Sequence, residues 1–137
     1  MSRILCVDYG KKRCGIAVTD PLRIIASGLT TLDTDGLIFW MKQYFKTEEV
    51  GLVLVGYPLA LDNTATDATP LVDKFLRNFK MVFPDMPVET IDEQFTSKMA
   101  VSAMIDMGMK KKDRKIKGNI DELSATIMLQ EYLESHS

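Results

Sequence analysis

Hydrophobic and polar positions alternate at the start of the chain and then change period. Residues 3–9 (RILCVDY) and 14–19 (CGIAVT) carry β-forming side chains in alternation. They read as two strands, and the short link through Gly10 makes them a hairpin. Asp20-Pro21 marks a turn into a third strand at about 23–32. From Leu37 the period becomes helical, with Leu37, Trp40, Met41, Tyr44 and Phe45 on one side. The aromatic residues of that stripe are expected to be core contacts. Residues 51–56 (GLVLVG) form an unbroken apolar run, which suits a strand buried on both faces in a parallel arrangement.

GYPLALDNTATDA, from Gly56, reads as a loop. Thr69 and Pro70 have the chemistry of an N-cap and a first helical residue. Leu71, Val72, Phe75, Leu76, Phe79 and Val82 then mark an amphipathic helix. Pro84 and Pro87 bracket a turn before a short strand at 88–92 (VETID). A further helix, capped by Thr96 or Ser97, carries Ala100, Ala103, Met104 and Met107 and stops at Gly108. A basic loop, 109–118, precedes a last helix that begins at Asn119, with Glu122 as capping-box partner, and runs to about Glu134. The order is β-β-β-α-β-α-β-α-α. It implies an α/β fold in which an antiparallel meander feeds a mixed sheet with helices on both faces.

Length and composition add bounds. At 137 residues the chain is expected to form a single domain, 1–137. No apolar run approaches the roughly 20 residues of a membrane span. The start, MSRILCVDYG, lacks a signal-peptide layout, so the expected location is the cytoplasm. Cys6 and Cys14 lack zinc-site spacing and read as buried free thiols. The only histidine is His136, which leaves no basis for a histidine metal site or catalytic triad. Net charge is −2, yet the cations are clustered. Of 17 basic residues, three fall in Lys11–Arg13 and six in Lys110–Lys117 (KKKDRKIK). Local patches of this kind attract polyanions whatever the net charge.

Three carboxylates stand where chemistry could gather. Asp8 ends the first strand, Glu93 follows the last strand, and Asp121 sits in the first turn of the last helix. Acids at the ends of strands about 4.8 Å apart can meet across a sheet. Two carboxylates about 4 Å apart repel by roughly 4 kcal/mol at an effective dielectric of 20, so such a cluster needs a cation. Oxygen ligands suit Mg2+ or Mn2+. A pair of such ions supports phosphodiester cleavage. Each acid also has a plainer reading. Asp8 can simply open the D-x-G turn. Asp121 can favour the helix N-terminus through the backbone dipole. Glu93 can be a solvated loop acid, and the basic loop a solvated surface.

The same residues carry a resemblance to the YqgF family of small RNase H-like proteins, whose fold is shared with the Holliday-junction resolvase RuvC. The family's opening D-x-G-x-(K/R)-x-x-G-x-A resembles Asp8, Gly10, Gly15 and Ala17, with Lys11 to Arg13 in the turn. Its V-G-x-P loop matches Val55, Gly56 and Pro58, and its D-E-R-x-(S/T) segment matches Asp92, Glu93 and Thr96. Its final helix matches Ile120, Asp121, Ser124-Ala125 and Leu129–Leu133. The resemblance spans essentially the whole chain. It implies that Asp8, Glu93 and Asp121 are catalytic acids that bind Mg2+ or Mn2+. It also implies cleavage of precursor 16S ribosomal RNA at its 5′ end. Gln94 stands where the family usually has arginine, and Asn63 where it usually has glycine.

Four functions follow for comparison. A metal-dependent nuclease on structured RNA leads. A Holliday-junction resolvase on branched DNA would use the same acids and would be a two-fold dimer. DYGKKRCGIAV is also similar to the phosphate loop of actin-like ATPases and sugar kinases. Those proteins need a second phosphate hairpin, and none is visible. The fourth is a nucleic-acid-binding module without catalysis. In the first two readings Lys11, Lys12 and Arg13 face the phosphate backbone, and Lys111, Lys112, Arg114 and Lys117 close over the substrate from the other side.

Overall fold

The computed structural model describes residues 2–57, 69–92 and 117–135. The elements are β1 (Arg3–Tyr9), β2 (Arg13–Thr19), β3 (Ala26–Asp33), a 3-10 turn (Thr34–Gly36) and α1 (Leu37–Thr47). They continue with β4 (Val50–Tyr57), α2 (Thr69–Val82), β5 (Val88–Asp92) and α3 (Lys117–Ser135). One sheet has the order β3-β2-β1-β4-β5. β1 pairs antiparallel with β2, and β2 antiparallel with β3. β1 with β4, and β4 with β5, are parallel. The meander and the parallel half therefore meet at β1, as the hydrophobic pattern implies. The helix expected after Thr96 lies outside the described residues.

β1 is covered on both faces, and alternation divides its side chains between two layers. Leu5 and Val7 join Ile16, Val53 and Val55 beneath α1 and α2, which contribute Leu37, Met41, Val72, Phe75 and Phe79. Ile4 and Cys6 join Ala17, Leu52 and Leu54 beneath α3, which contributes Ala125, Met128 and Leu129. Cys6 and Cys14 are buried free thiols belonging to opposite layers. The α1 aromatics are core contacts, as expected. Trp40 stacks on Tyr44 at 4.8 Å, and Phe45 meets Phe83 edge-on at 5.0 Å.

α3 lies across β2 and β3 because the strands beneath it present small residues. Ala17 and Ala26 belong to that layer. At Gly28 an added Cβ would stand 2.6 Å from Glu122 Oε1 and 3.1 Å from Thr126 Oγ1. This contact corrects one expectation. Glu122 rests against β3 rather than closing a capping box, and α3 begins at Lys117, two residues before Asn119. Asp121 accordingly lies in the second turn of α3, whose first turn holds no acid.

The third strand also starts later than its composition suggests, at Ala26. The Asp20 carboxylate accepts hydrogen bonds from the backbone N–H groups of Leu22 (3.2 Å), Ile24 (2.7 Å) and Ile25 (2.8 Å). An aspartate that captures its own downstream amides holds a turn against the strand ladder. Arg23 takes φ 58° there, and its guanidinium donates to Ser2 O and Ser2 Oγ, both at 3.0 Å. The β propensity of Ile24 and Ile25 yields to this side-chain capture.

Candidate active site

Asp8 is the last acidic position reached by β1 before the turn. Alternation from Ile4 and Cys6 assigns it to the face covered by α3. In the β1–β2 ladder Asp8 stands opposite Gly15. In the parallel half, Val7 pairs with Val55, so Asp8 is level with Gly56, which in turn pairs with Ile91. Asp8 therefore has a glycine beside it on each neighbouring strand. A carboxylate on a crowded sheet face would meet side chains about 4.8 Å away. Here two side-chain-free positions leave space around a half-buried carboxylate at the strand's C-terminal end. Both glycines belong to the sequence motifs, but their role becomes visible only once the strand register is known.

β5 reaches the same edge of the sheet, with Tyr57 opposite Asp92. Ile91 packs in the α3 layer, and Glu89 accepts a hydrogen bond from Tyr132 of α3 at 3.2 Å. Burial and this carboxylate raise the Tyr132 phenol above its ordinary pKa. Glu93 lies outside the described residues. Position 121 is one helical turn before Ser124 and Ala125, the buried stripe of α3. Ser124 is 1% exposed, and its Oγ has no hydrogen-bond partner.

The turn between β1 and β2 is held from below. Thr34 N–H donates to Lys12 O at 2.9 Å, and Thr34 Oγ1 donates to Gly10 O at 2.7 Å. A Cβ at Gly10 would collide with the Arg13 carbonyl oxygen, so the turn requires glycine there. Lys11 and Lys12 are exposed at its tip. Arg13 is half-buried, and alternation along β2 with Gly15 and Ala17 assigns it to the Asp8 face. Its Nε is buried without a hydrogen-bond partner. An unsatisfied buried guanidinium nitrogen costs free energy unless an acceptor arrives, and a phosphate oxygen is the acceptor that this cation suits. Lys111, Lys112 and Arg114 lie outside the described residues, and Lys117 opens α3 rather than ending a loop.

A divalent metal would suit the oxygen donor of Asp8 and the space beside it. Among the described residues no three His, Cys, Asp or Glu side chains converge; of the three expected ligands, only Asp8 has a described side chain. Also among the described residues, no helix is long and apolar enough to cross a membrane.

Comparison with known proteins agrees with this geometry. A family model described as "RuvX: Holliday junction resolvase" matches residues 2–135. A protein of Christiangramia forsetii named "Putative pre-16S rRNA nuclease" is 54% identical over 133 residues, covering 97% of this chain and 98% of its own. A protein of Bacteroides fragilis with the same name is 47% identical over 135 residues, covering 98% of each chain. Two solved structures share the fold. The Fowlpox virus resolvase in complex with Holliday junction DNA has a TM-score of 0.59 at 15% identity, covering 98% of each chain. RuvC of T. thermophilus in complex with a Holliday junction substrate has a TM-score of 0.57 at 13% identity, covering 100% of this chain and 98% of its own. The mixed sheet with helices on both faces is thus an RNase H-like, RuvC-like fold, and the chain belongs to the RuvX/YqgF family.

Proposed function

We propose that this protein is a nuclease that hydrolyses phosphodiester bonds in precursor 16S ribosomal RNA during ribosome biogenesis, acting in the cytoplasm as a single domain. The observation that carries the reading is Asp8 between Gly15 and Gly56, in a chain whose relatives at about half identity are named for this activity. Asp8, Glu93 and Asp121 would hold Mg2+ or Mn2+. A pair of such ions, when bound, activates water and stabilises the leaving oxygen. The chain's own residues do the rest. Asp8 presents its carboxylate into the gap between the two glycines. Arg13 offers the buried Nε to a substrate phosphate. Lys11 and Lys12 draw the polyanion to the turn, with affinity that falls as salt rises. Lys111, Lys112, Arg114 and Lys117 supply further cations on the other side of the substrate.

The family description favours a second reading, a Holliday-junction resolvase using the same acids on branched DNA. One assay separates them. Wild-type protein and Asp8→Asn are incubated with Mg2+ or Mn2+ on a labelled 16S precursor RNA and on a labelled four-way DNA junction. Cutting of the RNA that disappears with Asp8→Asn is expected. Cutting of the junction alone would replace the first reading by the second. No cutting of either, with no metal bound, would leave a non-catalytic nucleic-acid-binding module.

A further inference from the structure

The side of the sheet opposite Asp8 carries a cleft of about 770 Å³, lined on one wall by α2 and on the other by the β1–β2 turn and the 3-10 turn before α1. Tyr9, the residue after Asp8, lies at its base and packs on Phe75 with ring centroids 4.8 Å apart. Lys11 enters from the turn, and Lys74 and Arg77 from successive positions of α2. Met81 is 82% exposed at the rim, and Asn78 stands between it and Lys74. Three cations face one carboxylate, that of Asp35.

Resting on the nuclease reading above, we propose that this cleft binds a nucleotide of the single-stranded RNA flanking the cut, with its phosphate on Lys11, Lys74 and Arg77 and its base against Tyr9 and Met81. A single strand is bound by cations that follow its backbone and by apolar or aromatic surfaces that take its bases. Met81 is an exposed thioether beside cations, a soft surface for bases of different shape. Asp35 disfavours a phosphate at its own end of the cleft, but it can accept from a ribose 2′-hydroxyl or a base amino group, and the 2′-hydroxyl is what marks RNA. Tyr9 remains a neutral phenol able to donate, because burial and the neighbouring Cys14 and Asp35 raise its pKa. Continuity with the active site comes from β1 itself. Asp8 and Tyr9 are adjacent at the same strand end and belong to opposite faces, so a strand crossing the Lys11–Lys12 turn can reach both.

The test is binding without cleavage. A labelled single-stranded oligoribonucleotide, its deoxy counterpart and a blunt RNA hairpin are titrated in EDTA across a range of salt. The proteins are wild type, Lys74→Gln/Arg77→Gln, Met81→Glu and Asp8→Asn. Lys74, Arg77 and Met81 are exposed, and thermal melts check that their variants stay folded. The double variant is expected to lose about tenfold in affinity for the single strand, with the log–log salt slope reduced by about 1.4, or 0.7 for each lost phosphate contact. Met81→Glu should weaken the same ligand, and Asp8→Asn should leave it unchanged. Unaltered affinity and slope in both cleft variants would overturn the cleft alone. Equal losses for the deoxy strand would overturn the choice of RNA. Failure of wild type to bind any of the three ligands would overturn the nuclease reading and the cleft together.

Discussion

Thr34 Oγ1 donates to the Gly10 carbonyl at 2.7 Å, tying the β1–β2 turn to the segment that enters α1. The hydroxyl has one proton, so the 3.4 Å contact with Cys14 Sγ is donated by the thiol. Thr34→Val keeps the shape and removes both partners. The expected cost is about 1 kcal/mol in unfolding free energy by urea titration. The turn amides should also lose protection in hydrogen exchange, and nucleic-acid affinity should fall because Lys11 and Lys12 are no longer held.

Asp8→Asn preserves size and the possibility of hydrogen bonding, but removes the charge that a metal needs. Cleavage should drop by about 10²–10³-fold or more, the scale for losing one key electrostatic group from an active site. Chelation of wild type with EDTA should abolish cutting, and added Mg2+ should restore it. Mg2+ should raise the melting temperature of wild type and not that of the variant.

Gly28 sets the distance between β3 and α3. Gly28→Val should destabilise by about 1–3 kcal/mol, the usual range for overpacking. Glu122→Ala in the same chain should recover part of that loss, since the carboxylate is the nearest atom to the new Cβ. A double-mutant cycle by chemical denaturation reads the coupling.

Asp20 links the β2–β3 turn to pH. The backbone N–H of Ile25, then those of Ile24 and Leu22, hold its carboxyl below the ordinary range. A group with a depressed folded pKa adds stability that is fully present above its unfolded value, about 3.9, and lost as pH falls through the folded value. Asp20→Ala should therefore lower the melting temperature at pH 7, and the gap from wild type should narrow below about pH 4.

Much of the architecture was legible because it rests on local pattern. The alternation of 3–9, the helical stripe from Leu37 and the unbroken run 51–56 each describe a burial environment directly, and β1, α1 and β4 appear where those patterns imply. Expectations failed where a side chain overrode propensity, as with Asp20 delaying β3 and Glu122 leaving the cap for Gly28. Asp8 was visible as an acid at a strand end. Its two glycine neighbours required the register of three strands, which no single segment encodes. Lys74 and Arg77 escaped notice for a different reason. On an amphipathic helix they look like an ordinary solvated face until the opposite wall of the cleft is in place.

The division of β1 between two layers limits which sequence changes the family can accept. Substitution at one position alters one layer only. A single-residue insertion or deletion between Ile4 and Asp8 would exchange the two sets, turning the carboxylate toward Phe75 and Phe79 and the aliphatic residues toward the substrate. Length variation in this strand should therefore arise in pairs or not at all, whereas the turn at Asp20–Ile25, whose side chains lie largely outside the core, is free to change by single residues.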